Sequence, residues 1–148
     1  MKICMLGAGA LGCSIGGVLA QGGSDVIFVD RFQAHVDAIN ANGLKMRVGE
    51  EEKFVKVKAY TSCEGLSPVD LVIVLVKSYH TRAAIESAGP LIGENTLVMS
   101  IQNGLGHEEI LAEVAGRQRV LAAKTYVGGV FLAPGHIISG SKGKPTYI

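Results

Sequence analysis

The chain has 148 residues, of which 48% are hydrophobic and 18% charged, and a net charge of +1. That suffices for one domain with its own core, falls short of two, and excludes a disordered chain. A balance so near neutral, with no basic stripe, excludes a nucleic-acid footprint, and the longest apolar run, Leu71 to Val76, cannot span a bilayer.

The N-terminal apolar run is also too short for a signal peptide, so a cytoplasmic protein without membrane contact is expected. Cys4, Cys13 and Cys63 are odd in number and unpatterned, which points to reduced thiols rather than a disulfide framework. His35, His80, His107 and His136 are scattered, and no metal site is expected.

In chain order, Ile3 to Leu6 reads as a short buried strand that stops at Gly7. Gly7, Gly9 and Gly12 then have G-x-G-x-x-G spacing, and Leu11, Ile15, Val18 and Leu19 recur at helical intervals behind them. Asp25 to Val29 reads as a second strand, ending at Asp30 and Arg31. Phe32 to Ala41 reads as a helix closed by Asn42-Gly43. Leu44 to Val48 and Phe54 to Tyr60 alternate around Gly49 to Glu52, which predicts an inserted antiparallel hairpin with a solvated, charged tip.

Val69 to Val76 has the character of a parallel strand buried on both faces, with Lys77 directly after it. Tyr79 to Ala88 is a helix closed by Gly89-Pro90, Thr96 to Ile101 a strand, Gly106 to Ala115 a helix, and Val120 to Ala123 the last parallel strand. Short β pieces follow from Val127 to a strand-like end at Thr146 to Ile148. The alternation predicts one α/β domain over residues 1–148, a Rossmann-type doubly wound parallel sheet with right-handed crossovers.

The glycine turn, Gly7, Ala8, Gly9, Ala10, Leu11 and Gly12, is the natural seat of a pyrophosphate. One glycine permits the turn, one lets the backbone approach the phosphates, and one lets helix and strand pack closely. Asp30 lies 18 residues past Gly12, where a carboxylate can accept from ribose hydroxyls and favour NAD; Arg31 beside it could clamp a 2′-phosphate instead. Lys77 and Asn103 end successive strands at the carboxyl edge of the sheet. There an ammonium can meet a carbonyl or carboxylate, and an amide can donate to one oxygen while accepting from another. His80 and Thr81 are read as a helix cap. Gly128 and Gly129 would let backbone approach a cofactor.

Taken together, Lys2 to Gly12, Asn42-Gly43-Leu44, Asp70 to Lys77, Gln102 to Gly106 and the Pro134-Gly135 hairpin resemble the N-terminal domain of ketopantoate reductases (2-dehydropantoate 2-reductases). The resemblance runs over essentially the whole chain. It implies NADPH-dependent reduction of ketopantoate, a 2-oxo acid, to pantoate on the way to pantothenate and coenzyme A. By position, Gly7 to Gly12 would hold the pyrophosphate, Arg31 the 2′-phosphate, Lys77 and Asn103 the nicotinamide and substrate, and Gly129 a backbone contact. Asp30 departs from a strict NADP enzyme and leaves NAD open. Family members run to about twice this length, and a helical C-terminal domain supplies their catalytic lysine and a glutamate. The resemblance therefore implies a cofactor half that binds dinucleotide without turnover. Two alternatives stay open: a dehydrogenase for another 2-oxo acid, and a nucleotide-sensing regulatory module such as those of potassium-transport regulators, which need neither Lys77 nor Asn103. Oligomeric state is also open, a homodimer included.

Overall fold

Short apolar runs, each stopped by glycine or a polar residue, are the centre of the molecule. The structure is a computed structural model that describes residues 1–148. Its strands are β1 (Lys2–Leu6), β2 (Asp25–Val29), β3 (Leu44–Val48), β4 (Glu51–Val55), β5 (Lys58–Tyr60), β6 (Leu71–Val74), β7 (Leu97–Ser100), β8 (Val120–Ala122), β9 (Lys124–Thr125), β10 (Gly129–Ala133), β11 (His136–Ser139) and β12 (Thr146–Tyr147). The α-helices are α1 (Ala10–Gln21), α2 (Gln33–Asn42), α3 (Thr81–Ser87) and α4 (His107–Ala115).

Six strands form one sheet in the order β5-β2-β1-β6-β7-β8, and every pairing is parallel. Counted along the chain this is the doubly wound order 3-2-1-4-5-6, so the Rossmann-type fold expected from the sequence is the one observed. The pleat divides the core. Ile3 and Met5 face a cluster with Cys13, Val36 and Ile39 from α1 and α2. Cys4 and Leu6 face a second cluster with Ile85 of α3 and Leu111 of α4.

A second, four-stranded sheet, β10-β11-β3-β4, lies over α1 and shares its core through Leu44, Met46, Val55 and Ile137. The predicted hairpin and the late β pieces thus merge, because β11 pairs in parallel with β3. α1 is held between two sheets. A Cβ on Gly16 would come within 2.7 Å of Met5 and Phe28, and one on Gly17 within 2.0 Å of the Met46 sulfur. The helix therefore buries Gly12, Cys13, Ser14, Gly16 and Gly17. The apolar positions read as its inner face are only partly buried (Leu11, Ile15, Leu19) or exposed (Val18), since neither sheet leaves room for large side chains on the packed face.

Three boundaries differ from expectation. The hairpin turns at Gly49-Glu50, and its return strand is Glu51–Val55. Residues 58–60, expected in that strand, belong instead to the edge of the parallel sheet, where Lys58 to Tyr60 pair with Ile27 to Val29. β6 ends at Val74, which puts Lys77 three residues beyond the strand. A short 3-10 turn, Ser78–His80, precedes α3 where a single helix from Tyr79 was predicted. The chain end is strand-like as read, with Thr146–Tyr147 pairing antiparallel with Lys124–Thr125.

Candidate functional site

In this strand order the direction of winding reverses between β1 and β6, and a crevice opens outside their carboxyl ends. The glycine turn sits there, and its three glycines have three different surroundings. Gly7 has φ 108°, and a Cβ on it would lie 2.8 Å from the backbone of Leu75 and Val76. A Cβ on Gly12 would lie 2.1 Å from the Gly7 carbonyl oxygen. Gly9 is exposed, has the ordinary extended backbone (φ −68°), and would meet nothing within 4 Å. Neither strain nor packing within the chain asks for glycine at position 9. What a Cβ would occupy there is the open mouth of the turn. α1 begins at this point with no side-chain cap and no acidic residue in its first turn, so its leading N–H groups face the same opening.

Beneath the turn the backbone is fastened at Ala8, which is fully buried. Its N–H donates to Asp30 Oδ2 (2.8 Å), and its carbonyl accepts from His35 Nε2 (2.8 Å) and from Cys13 Sγ (3.2 Å). On its other side His35 Nδ1 accepts from the N–H of Gly135 (2.8 Å). An N–H can only donate, so His35 is the neutral tautomer protonated on Nε2. Burial pushes its pKa below the usual value, against the opposing pull of the Ala8 carbonyl and nearby Asp30. Burial also pushes up the thiol pKa of Cys13, helped by Asp30, and those of Cys4 and Cys63; all three are unpaired, buried thiols.

Asp30 thus supports the protein backbone with both oxygens. Oδ2 holds Ala8, and Oδ1 accepts from the N–H of Phe32 (2.9 Å). Arg31 is exposed, and its guanidinium lies 3.4 Å from His80 Nε2, which brings residues from the ends of β2 and β6 together beside the glycine turn. The cap expected of His80 and Thr81 is not formed, because α3 has no side-chain cap. His80 faces Arg31, while Thr81 is fully buried and donates to the Ser78 carbonyl (2.9 Å).

Lys77 and Asn103 stand on adjacent loops at the same edge, both exposed, and neither side chain makes a hydrogen bond or ion pair. Their loops are joined beneath by Gln102, Thr81 and His107. Gly129 has a different setting: a Cβ there would meet Ser14 Oγ at 2.7 Å and the Ala10 carbonyl at 2.9 Å. Glycine at 129 lets β10 close on the first turn of α1. His35 and Gln102 were missed as supports. The one available signal for His35 was a polar residue in register with Val36 and Ile39 on the buried face of α2. A groove of about 990 Å³ between α2, the β4–β5 link and the start of β2 shares no residue with the glycine turn. No helix is long and apolar enough to cross a membrane.

A parallel sheet in this order, with a glycine turn entering a helix at its switch point, defines a Rossmann-type domain. The family model for ketopantoate reductase PanE/ApbA matches residues 3–147, and the chain belongs to that family. A 2-dehydropantoate 2-reductase of Pyrococcus abyssi is 42% identical over 143 residues, 97% of this chain and 46% of the relative. The crystal structure of 2-dehydropantoate 2-reductase from Geobacter metallireducens GS-15 superposes with a TM-score of 0.86 at 34% identity, over 94% of this chain and 46% of that one. A ternary structure of D-mandelate dehydrogenase with NADH and anilino(oxo)acetate gives a TM-score of 0.89 at 28% identity, over 94% of this chain and 45% of that one. The chain spans about half the length of the relatives it matches.

Proposed function

We propose that this chain is the cofactor-binding part of a reductase that converts ketopantoate to pantoate with NADPH, in pantothenate and coenzyme A biosynthesis. The observation that carries the reading is Gly9: a glycine required by no contact within the chain, at the mouth of a turn whose other two glycines are locked in place. The space it leaves, beside the uncapped start of α1, fits a pyrophosphate. Arg31 is proposed to hold the 2′-phosphate. Exposed Arg31 supports NADPH over NADH; each Asp30 oxygen accepts one backbone N–H and keeps a lone pair, so NADH is the competing ligand. Bound here, the nicotinamide would supply hydride to the carbonyl carbon of the 2-oxo acid. Lys77 would donate to a carbonyl or carboxylate oxygen, and Asn103 would donate to one oxygen and accept from another.

The 148 residues are proposed to bind dinucleotide without turning over substrate by themselves, in the cytoplasm. Likeness to D-mandelate dehydrogenase favours a second reading in which the substrate is another 2-oxo acid. A fluorescence titration of the chain with NADPH and NADH, with and without ketopantoate, tests all of this. Tighter binding of NADPH is expected, and Arg31→Ala should reduce the preference about tenfold or more through loss of charge-assisted bonds. Equal affinity for both nucleotides overturns the NADPH assignment. Steady-state oxidation of NADPH by the chain with ketopantoate overturns the cofactor-half reading.

A further inference from the structure

We propose that Gln102 is the positioning residue of the substrate end of the crevice: its amide clamps the loop of Lys77 to the loop of Asn103 and so fixes how far apart those two groups stand. The proposal rests on the roles given to Lys77 and Asn103 above. Both side chains are free in solvent, so their placement is decided entirely by the backbone beneath them.

That backbone is held at the carbonyls of Val76, Lys77, Ser78 and Asn103. Gln102 Nε2 donates to the Val76 carbonyl (2.6 Å), immediately before Lys77, and to Thr81 Oγ1 (2.8 Å). The Thr81 hydroxyl in turn donates to the Ser78 carbonyl, immediately after Lys77. The Lys77 carbonyl itself accepts from the N–H of His80 (2.8 Å). On the other loop, Gln102 Oε1 accepts from Ser100 Oγ (3.0 Å), and the Asn103 carbonyl accepts from His107 Nε2 (2.8 Å).

The amide orientation follows from its partners. A carbonyl can only accept, so the nitrogen faces Val76, and the Thr81 proton is already directed at Ser78. Ser100 and Thr81 are 1% and 0% exposed, so half-buried Gln102 is anchored on two buried hydroxyls. Gln102 thus has a role distinct from that of Asn103 beside it: its amide is bonded within the protein, to the Val76 carbonyl in the Lys77 loop and to Thr81 at the start of α3.

The test separates the two ends of the crevice. The chain is titrated with NADPH and with 2′,5′-ADP, which has the phosphate end but no nicotinamide. Gln102→Ala and the isosteric Thr81→Val are each expected to weaken NADPH about tenfold, the scale of one or two buried hydrogen bonds, and to leave 2′,5′-ADP unchanged. Thr81→Ser keeps the hydroxyl and should restore NADPH affinity. A merely structural role would lower both affinities together. Equal losses for the two ligands, no loss for either, or a Thr81→Ser variant as weak as Thr81→Val overturns the proposal. A wild-type chain that binds 2′,5′-ADP no more weakly than NADPH overturns it too, while leaving the phosphate end intact. A wild-type chain that binds neither removes the proposed function, and this inference with it.

Discussion

The two ends of the crevice are only two strands apart, yet they are built on opposite principles. At the glycine turn the absence of side chains does the work: Gly7 and Gly12 are pressed against backbone, and the helix behind them buries a row of small residues. At the Lys77 and Asn103 loops side chains do the work, through a buried polar set that ties carbonyl to carbonyl. The first end, over its polar floor at Ala8, is fixed by shape at Gly7 and Gly12, where no added atom is tolerated. The second is fixed by hydrogen bonds and tolerates changes of shape better than the loss of a donor.

The sharpest way to break this comparison is a pair of identical substitutions in the turn. Gly12→Ala sets a methyl 2.1 Å from a carbonyl oxygen that cannot move aside, and should cost about 3 kcal/mol or more in urea unfolding. Gly9→Ala meets nothing, so stability should change by less than about 0.5 kcal/mol. Its dinucleotide affinity should nevertheless fall about tenfold or more, read by the same titration. Equal stability for the two variants would show that shape does not fix this end.

A second, smaller effect concerns the polar floor under the turn. His35→Ala leaves the Ala8 carbonyl with only the weak Cys13 thiol donor and the Gly135 N–H unpaired, and should cost about 2 kcal/mol. The native histidine also makes stability depend on pH. Its pKa is lowered in the folded chain, so the folded state binds fewer protons than the unfolded one. The contribution is complete above the unfolded value of about 6.5 and is lost as pH falls below it through the folded value. Urea midpoints measured from about pH 7.5 down to about pH 5 should decline in the wild type and decline less in His35→Ala. The smallest effect is expected away from both ends: Glu52→Gln, which removes the half-exposed pair with Lys45, should cost less than about 1 kcal/mol and vanish in high salt.

The parallel sheet was legible because its strands are short buried runs stopped by glycine or a polar residue, and periodicity reports burial directly. The turn was legible for a related reason, since its glycines obey fixed spacing. Legibility failed where partners lie far apart in sequence. Nothing local to Lys58-Ala59-Tyr60 assigns it to the parallel edge rather than to the hairpin that precedes it. The pairing of His136 to Ile138 with Lys45 to Arg47 joins segments about ninety residues apart, and it completes the second of the two sheets between which α1 must be small. His35 escaped because its close partners are backbone atoms, which carry no side-chain signature, and Gln102 because its partners, the Val76 carbonyl and the Thr81 hydroxyl, lie more than twenty residues away in sequence. Asp30 was found from its spacing, but its bonds to the N–H groups of Ala8 and Phe32 were not.

The bond between His35 and Gly135 bears on where this unit can be cut. By topology the domain looks finished at Ala122, where the sixth parallel strand ends. A polypeptide stopped there would keep every strand of the wound sheet. It would also strip β10 and β11 from the cover of α1 and leave the histidine under the glycine turn without the N–H that orients it. The modular boundary drawn by strand order and the one drawn by mechanical support do not coincide: the phosphate end is completed from the chain's last quarter.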